Sequence, residues 1–151
     1  MPAGCLACDL AEGRVPLPGG PLLDAGRWLV EHCVGPLGVG TLVVKPRRHV
    51  LHVADLDERE SAELGPLLRR AADVAGRLAG AEQVYVCLWS HAGGAPVHIH
   101  FVVQPVTSEQ KEAAGAYGPA LQLALFERGE QPDAAEVVAF AERARALFAV
   151  T

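Results

Sequence analysis

Apolar residues recur along this chain in two rhythms, and the switches between them mark out its elements. From Arg27 to Val34 and from Thr41 to Lys45 short stretches dense in Val and Leu predict strands. Gly35-Pro36-Leu37-Gly38-Val39-Gly40 joins them as a hairpin; without a strand-to-helix context or a following Gly-Lys-Ser/Thr, these glycines read as a turn and not as a phosphate loop. Leu64, Leu67, Leu68, Ala71, Ala75 and Leu78 then repeat at helical spacing. Asp57 and Glu60 form a capping-box signal ahead of them and Gly80 stops the run, so a long amphipathic helix is predicted. The β-rich rhythm returns from Gln83 to Ser90 and from Val97 to Pro105, predicting two paired central strands linked by His91 to Pro96. Helical character resumes around Glu109 to Glu127, interrupted at Gly118-Pro119, and again from Asp133 to about Ala149, where Asp133 and Glu136 give a cap. Strands, helix, strands, helices in that order predict an α+β fold built on an antiparallel sheet.

Length and charge narrow the function classes. A chain of 151 residues without repeats or a long linker reads as one domain, residues 1–151. The core is expected to rest on Leu, Val and Ala, with Trp28 and Trp89 packed in the sheet. Thirteen basic against eighteen acidic residues give a net charge of -5, which argues against a surface for long nucleic acid and leaves a small phosphorylated ligand open. Lys45, Arg47 and Arg48 make a local basic patch, most simply a solvated strand end. No apolar run approaches the roughly 20 residues of a membrane helix. Residues Met1 to Leu10 lack the pattern of a secretory signal, so a cytoplasmic protein is expected.

The chemistry gathers at two places. If Val97 to Pro105 is a strand, His98, His100, Val102 and Gln104 share one face, and two aligned imidazoles need named partners to be buried without cost. Far away, Cys5 and Cys8 have the spacing that grips one metal ion from a tight turn. A redox Cys-x-x-Cys normally sits where a strand feeds a helix, and nothing strand-like precedes Cys5, so zinc is the stronger reading. A closed zinc site needs two further donors, to be found among His32, His49, His52, His91, His98, His100, Cys33 and Cys87. Cys33 and Cys87 sit singly in apolar runs and read as core thiols.

Taken together, the CLACDL arm, the segment Val43-Val44-Lys45-Pro46-Arg47-Arg48-His49 ahead of the Asp57 helix, and the run Gly93-Gly94-Ala95-Pro96-Val97-His98-Ile99-His100-Phe101-Val102-Val103 resemble the histidine triad (HIT) superfamily of nucleotide hydrolases and transferases. The resemblance covers most of the chain. It implies an antiparallel sheet of about five strands, a zinc-bearing arm over residues 1–20, a variable C-terminal helical region over 106–151, and a homodimer. Zinc-bearing branches, including the hexose-1-phosphate uridylyltransferases, imply Cys5, Cys8, His49 and His98 as ligands, with His52 a rival for His49. The middle triad histidine aligns with His100, which implies nucleophilic attack on the α-phosphorus of a nucleotide or nucleotide conjugate through a covalent nucleotidyl-histidine. Backbone N–H groups of Gly93 and Gly94 are the expected phosphate contacts. At the third triad position this chain has Val102, which cannot donate a proton, so leaving-group help falls to Gln104 or His91.

Overall fold

The computed structural model describes residues 4–150; Met1 to Ala3 of the expected arm, and Thr151, lie outside the described residues. The glycine-rich turn does fold the chain back on itself. It joins β2 (Trp28–His32) to β3 (Leu42–Pro46) in an antiparallel pair whose register sets Trp28 opposite Pro46 and His32 opposite Leu42. A two-residue strand β1 (Leu23–Asp24), too short to leave a sequence pattern, pairs with the outer side of β2. After helix α2 (Glu58–Ala79), strands β4 (Gln83–Cys87) and β5 (Phe101–Val106) complete a five-stranded antiparallel sheet in the order β1-β2-β3-β5-β4. Three helices follow: α3 (Ser108–Ala114), α4 (Pro119–Arg128) and α5 (Ala134–Val150).

Helix α2 begins where expected because Asp57 accepts from the Glu60 N–H while the Glu60 carboxylate accepts from the Asp57 N–H, and it ends on Gly80 in the left-handed conformation. Its apolar face lays Leu67, Ala71, Val74 and Ala75 on Val30, Leu42, Val44 and Val103 of the sheet, and α5 closes the core with Phe140, Ala141, Ala144 and Phe148. The other face of the sheet carries Glu31, Val43, Val102 and Cys87 in one cross-strand row, since residues directly opposite each other project to the same side. Tyr85 and Gln104 form the next pair along.

The arm that leads into the sheet is fastened to α5. At Gly19, φ is +80° and an added Cβ would lie 2.5 Å from the Ala141 Cβ, while the Arg145 guanidinium donates to the Gly19 carbonyl. Gly19→Ala is expected to cost about 1–3 kcal/mol, because strain at a positive φ adds to overpacking against α5. Urea unfolding read by circular dichroism checks this, and an unchanged midpoint would remove the claim.

Several expectations are corrected. Of the two strands expected to be central, β5 is, but β4 is the sheet edge and stops at Cys87. Trp89, beyond that stop, is 71% exposed instead of packed, while Trp28 is sealed in the core with its indole N–H on the Glu60 carbonyl. The second strand begins at Phe101 and not at Val97. The backbone before it is diverted from the ladder, with the Ile99 N–H donating to Val50 O and the His98 carbonyl accepting from the His100 ring. Cys33 and Cys87 are only partly buried, accepting from the Gly35 N–H and the Gln122 amide. Lys45 is no solvated strand end: its side chain is 1% exposed and pairs with Glu31 at 2.7 Å. Arg47 and Arg48 do reach the surface, paired with Asp24 and Glu60. Among the described residues no helix is long and apolar enough to cross a membrane.

Candidate functional site

The arm is where the chemistry starts. Residues Leu6–Ala11 form a short helix, α1, and Cys5 caps it with extended backbone while the Asp9 N–H donates to Cys5 O. One helical turn brings Cys5 and Cys8 to the same side, and both are buried. Against them stand His49, just past the end of β3, and His98, just before β5. The four ligand atoms all lie within 4.8 Å of one another. Cys8 Sγ is 3.3 Å from His49 Nδ1 and 3.4 Å from His98 Nδ1, and Cys5 Sγ is 3.8 Å from His98 Nδ1. With metal bonds of about 2.3 Å to sulfur and 2.0–2.1 Å to nitrogen, the sulfur-to-nitrogen edge of a tetrahedron is about 3.5 Å, so these separations fit one ion at the centre.

Hydrogen bonding shows which way each ring faces. His98 donates from Nε2 to Pro46 O at 2.8 Å, which leaves Nδ1 as the bare nitrogen facing the two sulfurs. Burial is the main reason the His98 pKa falls to about 4, and a ring held neutral is the form that ligates metal. Without an ion, burial likewise pushes the Cys8 thiol up to about 11, with Cys5 adding to the effect. Two sulfurs and two imidazoles, sealed and tetrahedrally spaced, are the donor set of a closed structural zinc site. His52 is exposed at the head of a single 3-10 turn, Val53–Asp55, and stands outside the cluster. His32 is committed elsewhere, donating from Nδ1 to Cys33 O and accepting at Nε2 from the Gly40 N–H.

His100 is placed differently. It is half-buried, and its Nδ1–H donates to the His98 carbonyl at 3.0 Å, so in the neutral ring Nε2 is the nitrogen that carries the lone pair. The two rings are thus bonded in opposite senses: His98 through Nε2, with Nδ1 facing the metal donors, and His100 through Nδ1. Val102, two residues on, is 8% exposed between Val43 and Cys87, and its own side chain has nothing to donate. Gln104 is fully buried, its Oε1 accepting from Gln122 of α4. The loop from His91 to Pro96 is exposed; the Gly94 N–H donates to His91 O at 2.9 Å and the His91 N–H donates to Pro96 O at 3.1 Å.

No family model and no curated protein matches the sequence. Solved structures do match the fold. A Hit-like protein involved in cell-cycle regulation from Bartonella henselae superposes with a TM-score of 0.74 at 14% identity, over 97% of this chain and 98% of the other. A Zn-bound histidine triad family protein from Mycobacterium smegmatis gives 0.70 at 19% identity, over 97% and 94%. A hypothetical histidine triad nucleotide-binding protein from Sulfolobus tokodaii gives 0.75 at 13% identity, over 97% and 93%.

The chain has the histidine-triad fold. Those identities carry the architecture, while the chemistry has to come from this chain's own residues. On the histidine-triad frame three side chains at the site escaped sequence reasoning. Lys45 and Glu31 are an ion pair buried under the cysteine arm; the available signal was one charge of each sign inside two facing apolar strands. Gln122 lays its amide 3.4 Å from Cys87 Sγ, next to the Val102 position, and comes from a helix whose packing no local pattern reveals.

Proposed function

We propose that this protein is a nucleotide phosphohydrolase or nucleotidyltransferase acting at the α-phosphorus of a nucleotide conjugate, with His100 as nucleophile and zinc as a structural fastener. The observation that carries the reading is the opposite use of the two rings, His98 bonded at Nε2 to Pro46 O with Nδ1 toward the cysteines, and His100 bonded at Nδ1 to the His98 carbonyl. Attack by Nε2 forms a phosphorus–nitrogen bond as the bond to the leaving group breaks, and the leaving group departs with the electron pair. Water or another acceptor then attacks the same phosphorus, its proton passes to solvent, and the imidazole is released. The Gly93-Gly94 loop is the expected phosphate cradle, and since the Gly94 N–H is bonded within the loop, the Gly93 N–H is the one assigned to an oxygen of the substrate. Bound zinc supplies rigidity by tying the arm to the strand ends at His49 and His98, and it takes no part in either displacement.

Leaving-group chemistry follows from what surrounds Val102. Gln104 is sealed inside the fold, away from any substrate, which leaves exposed His91 as the candidate donor. A site short of a general acid favours leaving groups that need no proton, such as the polyphosphate end of a dinucleoside polyphosphate, over the amine of an adenosine phosphoramidate at high pH. Val102 also motivates a second reading, a nucleotide-binding protein without turnover. Incubation with both substrate classes, followed by chromatography of the released nucleotide and by calorimetric titration, separates the readings. Product that disappears in His100→Ala supports catalysis, binding without product supports the second reading, and neither binding nor product overturns both.

The reading places the protein in the cytoplasm, whose reducing conditions keep Cys5 and Cys8 available to metal. It also takes a second copy of the chain as partner at the open β4 edge, where Val86 is 45% exposed. Light scattering tests the dimer, and a monomer mass would remove it.

A further inference from the structure

The buried charges beneath the cysteine arm belong to no step of the proposed reaction. Lys45 and Glu31 lie diagonally across β2 and β3, their side chains 1% and 4% exposed, and Lys45 Nζ donates to Glu31 Oε2 at 2.7 Å. Burying two ions is expensive, and apolar residues of similar size commonly serve a core as well or better, so the fold alone gives no reason for the pair. Its third contact does: Lys45 Nζ also donates to the carbonyl of Ala7 at 2.8 Å. Ala7 is one of the two residues between Cys5 and Cys8. The next residue along β3, Pro46, accepts from His98, and three positions further on lies His49 itself. The end of β3 therefore touches the whole donor set, holding the cysteine turn through Lys45, orienting one histidine through Pro46 O, and supplying the other.

We propose that Lys45, held in place by Glu31, is a positioning residue for the metal centre: its charged hydrogen bond to Ala7 O sets the cysteine turn against the two histidines before an ion arrives. Glu31 acts by stopping the ammonium from turning elsewhere. The inference rests on the metal reading of Cys5, Cys8, His49 and His98. Supporting contacts one layer out from a metal commonly change affinity while leaving the ligands untouched.

The test uses the full-length protein as wild type, Lys45→Met, and the double variant Glu31→Leu with Lys45→Met. Zinc affinity is measured by competition with a chromophoric chelator, and the melting temperature of the metal-free protein is measured in parallel. Lys45→Met is expected to weaken zinc binding about 10- to 100-fold. The double variant, which leaves no orphaned ion and so keeps the fold if the single variant fails to, is expected to lose affinity to the same extent, because Glu31 acts only through Lys45. Its metal-free melting temperature should match or exceed that of wild type. A double variant that binds zinc as wild type does would overturn the proposal. So would a loss of affinity matched by an equal loss of metal-free stability, which would make the pair a structural element and no more. A wild-type protein that takes up no zinc would instead defeat the metal reading itself.

Discussion

Replacing Cys8 by serine is expected to leave the protein without tightly held metal and to lower its melting temperature by about 8–16 °C. The sulfur of Cys8 stands 3.3 and 3.4 Å from the nitrogens of both histidine ligands, so it is the donor most central to the cluster. Ligand binding to the folded state alone adds about 4 kcal/mol when free ligand exceeds Kd by a factor of 1,000, and for a chain of this size each kcal/mol corresponds to about 2–4 °C. Wild type treated with a strong chelator should melt where Cys8→Ser melts. Calorimetry with elemental analysis on the same samples checks both statements. Zinc retained at one ion per chain in Cys8→Ser would contradict the ligand assignment. The sheet itself should survive, since its core of Val30, Leu42, Val44 and Val103 packs on α2 and α5, on the face away from Glu31 and Val102.

His100→Ala should behave in the opposite way, with activity lost and stability kept. Removing the atom that forms the covalent bond typically costs about 10⁴-fold or more in rate. Its effect on melting should stay near that of an ordinary partly exposed position, about 1 kcal/mol, because His100 contributes one hydrogen bond to the His98 carbonyl and no metal ligand. Zinc content should be unchanged. Product formation measured by chromatography and metal content measured on the same preparation separate this variant from His98→Ala, which should lose metal first. Turnover in His100→Ala at the wild-type rate would end the nucleophile assignment.

How much of this was legible in the sequence depended on whether local pattern or distant packing decided each feature. The long helix was readable because Asp57, Glu60 and Gly80 determine its ends within the segment itself. The glycine-rich hairpin was readable for the same reason. Cys5-x-x-Cys8 announced a metal, but spacing alone left His49 and His52 undecided. What separates them is the course of the chain after β3, where one residue faces the arm and the other begins an exposed 3-10 turn. The strand expected from Val97 starts four residues late because His98 and His100 direct ring and carbonyl bonds to Pro46 O and to each other, which no hydropathy pattern encodes. Trp89 was misread by extending the β4 pattern past its last paired residue, Cys87. Lys45 was misread because an isolated lysine beside two arginines looks solvated until Glu31 on the adjacent strand is known to lie within 2.7 Å.

The division of work between the two imidazoles is tested most directly by stopping a reaction with a radiolabelled nucleotide substrate in the first turnover and mapping the label by peptide mass spectrometry. The account predicts one nucleotidyl group on a ring nitrogen of His100, with His98 unlabelled. Label on His98, or rapid turnover with no protein-bound nucleotide at any time after mixing, would contradict it.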